Sequence, residues 1–309
     1  MSFIFRHPDD NRVHHSFAKA MAISPRHARY ALEHPKDPTP AMRRGTAVDR
    51  LVLGGRLVRC GMDRNSKAWA ALTLMAAGND VAVYDGAVRN GGKWDSFEEA
   101  NAGKPIVLQK EWDAAYSVLK GDRCDLGCIV TDDEYEAANG AATSVMTDPA
   151  AKERLEGEKQ RVIHWDMFGL PWGAGIAGVR GGFDILGATW LADLKVTDCT
   201  EPIRWSKQAR RMLYPQQLAA YRAGARFIGR TIDSAHLIGV EFRPPYVVTV
   251  LDFEPEDLDD AERDVAAWCE RIRQCEASGN WPGYVQTSVR IEPKGIWEAA
   301  DDAVEETTA

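Results

Sequence analysis

The chain has 309 residues, a formal net charge of -8, 45% apolar residues and 27% charged residues. Those values are the ones expected of soluble globular proteins, and no apolar run approaches the roughly 20 residues that a bilayer-crossing helix needs. They fit a globular protein able to bury a sizeable core, and the acid excess argues against a surface coated in phosphate-binding residues.

The opening MSFIFRHPDDNRVHH turns polar after five residues and carries no apolar core of a leader peptide, which predicts a cytoplasmic protein with no membrane partner. Residues 16–35 read as helix around Ser24, an N-cap, and Pro25, suited to the first turn. The segment from Pro35 to Pro40 reads as a connector. A second helix runs from Thr39 or Pro40 through Leu53 and ends at Gly54-Gly55. Residues 61–155 alternate helical patterns with short polar connections and show no repeat.

From Gln160 the texture changes: RVIHW, IAGVRGGFDIL and TWLADLKVTD read as strands bounded by glycine turns. IRWSKQARRMLYPQQLAAYRAGARF returns to helix, broken or kinked near Pro215. SAHLIGVEF and YVVTVLDF are two more strands, and a last helix spans about Pro255 to Ser278. The pattern predicts an α+β fold, one domain over 1–297 with a helical part at 1–155 and a sheet-containing core at 156–297. Residues 298–309 hold five acids and no base and read as a disordered tail.

The six cysteines, at 60, 124, 128, 199, 269 and 275, form no C-x-x-C pair, so buried free thiols are expected rather than disulfides or an iron–sulfur cluster. Charge is unevenly spread. From Pro202 to Ile232 there is no acid, while Arg204, Lys207, Arg210, Arg211, Arg222, Arg226 and Arg230 all fall in that window. Such a run is either a solvated helix surface or a basic face on an acidic protein.

The stretch GAGIAGVRGGFDILGATWLADLK, residues 173–195, admits two readings. Gly173, Gly175 and Gly178 spell G-x-G-x-x-G, but a dinucleotide site needs a helix directly after the glycine turn, and V-R-G-G-F-D-I-L-G leaves no room for one. The glycines therefore read as turn-makers. In A-D-L-K-V, Asp193 and Lys195 share one face of a strand while Leu194 turns away. A hairpin through G-A-T sets Asp184 beside Asp193. Two carboxylates that close repel unless a cation lies between them, and open oxygen sites suit Mg2+ or Mn2+. Downstream, Gln217 and Tyr221 lie four apart on one helical face. Each residue alone has a duller role: an isolated D-x-K is an ordinary exposed edge, Tyr221 a packing residue, and His164 a packed strand residue. Co-occurrence in this order carries the functional reading.

Asp184 with Asp193-Leu194-Lys195, followed by Gln217-Leu-Ala-Ala-Tyr221, resembles the PD-(D/E)xK nuclease pattern with its Q-x-x-x-Y extension, in the RecB-type branch. SPRHARYALEHPKDPTPAMRRGTAVDRLVLGG, RNSKAWAAL, DPAAKERLEG, VIHW and NWPGY extend the likeness to RecE-like exonucleases, related to exodeoxyribonuclease VIII of phage and prophage origin, over about residues 24–297. The resemblance implies a restriction-endonuclease-like core, a small mixed sheet flanked by helices. It implies a metal held by Asp184, Asp193 and the main-chain carbonyl of Leu194, with Lys195 orienting the attacking water and Gln217 and Tyr221 aligning the phosphate. Arg204, Lys207, Arg210 and Arg211 then become phosphate contacts. It further implies linear double-stranded DNA as substrate, 5′-to-3′ polarity, 3′ single-stranded ends for recombination, a ring-like homo-oligomer, a single-strand-annealing partner and a bacterial host cell.

Two departures stand out. Asp49 follows Gly45-Thr46-Ala47-Val48 where these relatives carry His, so whether Asp49 joins the metal site is open. Gln160 stands where they carry an acid. A DNA-binding or assembly protein of the same fold with little or no hydrolysis is the alternative, and a nuclease of another polarity or an RNA or structure-specific substrate is a third.

Overall fold

The computed structural model describes residues 13–14, 19–34, 39–76, 78–84, 101–119, 129–165 and 179–284. The predicted tail at 298–309, residues 35–38 of the connector, Cys124, Cys128, Gly173, Gly175 and Gly178 lie outside the described residues.

The first helices start where the sequence signals them. In α1, Pro25–Glu33, the Ser24 hydroxyl accepts the His27 N–H; in α2, Pro40–Leu53, the Thr39 hydroxyl accepts the Met42 N–H. Each thereby satisfies a donor the first turn cannot use internally. Gly54, at φ 91, ends α2 in the left-handed region that a side chain disfavours. The segment expected as helix over 16–35 is interrupted: a turn at 21–23 separates α1 from what precedes it. Met21 and Ala28 are both buried in the same cluster, which holds that turn against the core.

The region 61–155 contains α3, Lys67–Ala76, α4, Gln109–Leu119, α5, Asp132–Thr147, and α6, Pro149–Glu153. It also contains strands the helical reading missed. β5, Ile129–Val130, pairs in parallel with β2, Val58–Arg59, which lies just before this region, and β3, Ala82–Tyr84, pairs in parallel with β4, Ile106–Leu108. Runs of two or three residues are too short for periodicity to register. Trp69, Leu72, Val107, Ala115 and Ile129 make this part a separate apolar cluster.

Among the described residues the central sheet has six strands. β6, Glu158–Trp165, runs antiparallel to β7, Val179–Leu186; β7 is antiparallel to β8, Trp190–Thr197; β8 is parallel to β9, Ser234–Glu241; and β9 is antiparallel to β10, Val248–Phe253. β1, Val13–His14, pairs with the start of β7. This mixed sheet with helices on both faces is an α+β, restriction-endonuclease-like core. One face packs on α8, Tyr214–Phe227, and α9, Pro255–Ser278, through Phe183, Leu191, Leu218, Tyr221 and Val265. The other packs on α2 and α5 through Val48, Ala142, Leu194 and Ile238. Among the described residues, no helix is long and apolar enough to cross a membrane.

The helix break near Pro215 is real. α7, Pro202–Arg211, stops at Met212, and Leu213 adopts φ 56 before α8 begins. A proline at 215 cannot donate to residue 211 and its ring clashes with that carbonyl, so one continuous helix is excluded. The break lets α7 and α8 meet the sheet separately. Trp205 of α7 lies on Gly239, where an added Cβ would come within 2.7 Å of the indole, and Trp165 of β6 lies on Gly224 of α8 at 2.9 Å by the same measure.

Candidate active site

The site forms where two strands part. β7 and β8 pair at Ile185↔Ala192 and Leu186↔Leu191, and the next position in that register sets Asp184 opposite Asp193. There the ladder ends. Nearer its start β7 pairs with β1 instead, at Val13↔Val179 and His14↔Arg180. On its other edge Asp184 lies opposite Gln160, which stays within β6 at φ 50 and has an exposed side chain. Asp184 thus sits at a fork, where its carboxylate Oδ2 accepts the Leu194 N–H at 2.9 Å. A buried N–H without an acceptor costs on the order of 1–3 kcal/mol, so the carboxylate replaces the missing ladder bond.

Asp193 and Lys195 point from β8 toward α8, as their i, i+2 spacing predicts. Asp193 is 2% exposed, its Oδ2 is in contact with the Lys195 ammonium, and its Oδ1 accepts from Gln217 Nε2 at 2.9 Å. The same Nε2 lies 3.0 Å from the Tyr221 hydroxyl, and Lys195 Nζ lies 3.4 Å from the Leu194 carbonyl oxygen. Tyr221 is fixed from behind by Phe183, with ring centroids 4.8 Å apart. All five motif side chains therefore converge. Arg222 ties α8 to α9, 2.6 Å from Asp259 and 2.7 Å from Glu262.

The electrostatics are those of charges held out of water. Burial and the neighbouring Asp193 push the Asp184 carboxyl well above its usual range. Burial pulls the Lys195 ammonium down, but the Asp193 and Asp184 carboxylates more than offset it and hold Lys195 above the ordinary lysine value. Burial, with Asp193 and Asp184, raises the Tyr221 phenol. Lys195 is thus held as a cation.

Asp49 of α2 belongs to this neighbourhood. Burial pushes its carboxyl up to about 7, with Lys195 opposing and Asp193 adding to the shift. Its Oδ1 is buried without a hydrogen-bond partner. Such an oxygen beside Asp184 and Asp193 suits a hard divalent cation, which would relieve the burial of like charges. Among the described residues, no three His, Cys, Asp or Glu side chains already converge on one point. Asp193 is engaged by Lys195 and Gln217 instead.

Two residues near the site carried no motif. Tyr214 places its ring 5.2 Å from Lys195 Nζ, and Lys19 lies on the same ring at 5.4 Å. Tyr214 was legible in principle, since 214, 217 and 221 follow the i, i+3, i+7 spacing of one helical face. Lys19 had no such signal.

The basic residues divide. Arg204, Lys207, Arg210 and Arg211 are exposed on α7, opposite its buried Trp205 and Ala209, and do not join the carboxylate cluster. Three other bases of the acid-free window serve the fold: Arg222 and Arg226 pair with Glu262, and Arg230 with Glu158. Among the described residues the cysteines are free: Cys60, Cys269 and Cys275 are buried, as expected, while Cys199 is only partly buried.

A family model described as a PDDEXK-like domain of unknown function (DUF3799) matches residues 117–289. A crystal structure of a "Putative exonuclease" from Eubacterium rectale aligns with a TM-score of 0.49 at 14% identity, covering 94% of this chain and 92% of that one. A phage related exonuclease from Haemophilus somnus 129PT aligns at 0.31 and 11% identity, covering 67% and 100%. Neither likeness bears on activity. No curated protein matches the sequence.

Proposed function

The chain belongs to the PDDEXK-like family DUF3799, and on that premise we propose that it is a divalent-metal-dependent deoxyribonuclease that degrades linear double-stranded DNA from its ends. The observation that carries this reading is the convergence of Asp184, Asp193, Lys195, Gln217 and Tyr221 at the strand fork, with Gln217 Nε2 reaching both Asp193 Oδ1 and the Tyr221 hydroxyl. Asp184, Asp193 and the Leu194 carbonyl would hold Mg2+ or Mn2+, with Asp49 as a further oxygen donor. Such an ion supplies positive charge against the phosphate and makes the attacking water more acidic.

The protein's own groups orient and stabilise. Lys195, kept cationic by its carboxylate neighbours, hydrogen-bonds the attacking water and the phosphoryl oxygens as charge develops. Gln217 fixes the Asp193 carboxylate through Oδ1, while Oδ2 faces the Lys195 ammonium. Tyr221 holds Gln217 in turn. Attack at phosphorus leaves a 5′-phosphate and a 3′-hydroxyl. The exposed bases of α7 contact the backbone, adding affinity without sequence preference.

The sequence likeness to RecE-type enzymes supports 5′-to-3′ polarity, 3′ single-stranded products, a ring-like oligomer and a single-strand-annealing partner in a bacterial cytoplasm. Incubating the protein with linear and closed circular duplexes and Mg2+ tests the proposal. Loss of linear DNA alone, abolished by chelation or by Lys195→Ala, is expected; intact linear DNA refutes it.

A non-hydrolytic DNA-binding or assembly role is the second reading, favoured by the engagement of Asp193 with Lys195 and Gln217 and by Asp49 in place of His. Duplex-end binding with slow or absent cleavage, indistinguishable between Asp193→Asn and the wild type, would select it.

A further inference from the structure

We propose that Lys19 is a phosphate-binding residue of the site, holding a non-bridging oxygen of the substrate strand beside the bond that is cleaved. This rests on the nuclease reading. Three observations lead to it.

The first is geometry. The Tyr214 ring is approached by two ammonium groups, Lys195 at 5.2 Å and Lys19 at 5.4 Å from its centroid. Lys19 reaches this ring from a segment of chain remote in sequence from Asp184, Asp193, Lys195, Gln217 and Tyr221.

The second is charge. Lys195 is balanced by Asp193, with which it is in contact, whereas Lys19 has no ion pair or hydrogen bond to an acid among the described residues. Burial and the repulsion of Lys195 lower its pKa, the behaviour of a half-buried cation lacking an anion. An aromatic face compensates only part of that cost. The anions that enter a phosphodiester site are phosphates.

The third is rigidity. Met21 is 3% exposed, and Ala20 packs on the cluster that contains Tyr221. The Lys19 carbonyl accepts the Ala22 N–H at 3.1 Å, and Arg26 N–H bonds Pro282 at 3.1 Å. The backbone that presents Lys19 is therefore fixed by the same core as the motif helix, which favours a positioned ligand group over a floating surface lysine.

The bland alternative is that Lys19 merely packs on Tyr214. Lys19→Met separates the two, because it keeps an unbranched stem on the ring and removes the charge. Binding of the full-length protein to a blunt linear duplex is measured in chelator, where no cleavage occurs, across a salt series. The expected result is about tenfold weaker binding and a salt slope shallower by about one, an unchanged melting temperature, and recovery in Lys19→Arg. Equal affinity and equal slope in Lys19→Met overturn the proposal.

If Lys19→Met does not fold, the wild type suffices. Saturating duplex should slow acetylation of Lys19 relative to the same protein without DNA, and an unchanged rate overturns the proposal. A wild type that cleaves DNA while Lys19→Met binds normally defeats this inference alone. A wild type that neither binds nor cleaves defeats the nuclease reading with it.

Discussion

Asp184 Oδ2 accepts the Leu194 N–H at 2.9 Å, so a side chain of β7 closes the bond that the parted strands can no longer make. Asp184→Asn keeps an acceptor oxygen, and Asp184→Ala does not. In chelator the Asn protein should melt at or above the wild-type temperature, because burial already disfavours the charged carboxylate. The Ala protein should lose about 1–3 kcal/mol. Both should lose DNA cleavage by at least about a hundredfold. Equal melting of the two variants would refute the capping role.

Asp49 gives a pH dependence whose sign can be worked out. Its folded carboxyl titrates near 7 against an ordinary 3.8, so between those values the native state binds a proton that the unfolded chain has released. The Asp49 contribution to metal-free stability is fully present below pH about 4 and is lost as pH rises through about 7, with Asp184 acting in the same direction. Melting in chelator from pH 4 to 8 should show that decline, Asp49→Asn should reduce it, and Mg2+ should raise the melting temperature more at pH 8 than at pH 5. A flat profile shared by wild type and Asp49→Asn would remove Asp49 from the site.

Gln217 should matter more than Tyr221. Gln217→Leu removes the donor to Asp193 and to the tyrosine, and single-turnover cleavage should fall by about a hundredfold. Tyr221→Phe keeps the ring against Phe183 and should cost about tenfold or less. The reverse ranking would assign the alignment of the site to the phenol.

On α7, the spacing of about 100° per residue puts Arg204, Lys207 and Arg211 on one exposed stripe. Arg204→Ala with Arg211→Ala should weaken duplex binding evenly across sequences and reduce the salt slope by about two, without moving the melting temperature. An unchanged slope would place the DNA elsewhere.

Two glycines should respond to alanine in opposite directions. At Gly239 a Cβ would meet the Trp205 indole at 2.7 Å, while at Gly45 it would meet nothing within 4 Å. Gly239→Ala should destabilise by about 1–3 kcal/mol. Gly45→Ala, inside α2, should stabilise by up to about 1 kcal/mol. Denaturant melts of both variants decide this, and a neutral Gly239→Ala would show that α7 is free to shift.

The sequence alone determined the local features. Strand alternation put Asp193 and Lys195 on one face, the hairpin set Asp184 opposite Asp193, four-residue helical spacing aligned Gln217 with Tyr221, and Pro215 marked the break before them. Each depends on residues a few positions apart, where backbone geometry fixes which side chains are neighbours. Tertiary structure decided what depends on distant partners. β1 takes over the start of β7 and leaves the fork that Asp184 fills. Arg222, Arg226 and Arg230 are drawn from the acid-free window to acids of α9 and β6, leaving the bases of α7 exposed. Asp49 and Lys19 arrive at the site only because α2 and the chain before α1 pack there. No spacing encodes that packing, since it follows from which apolar faces bury each other across the whole core.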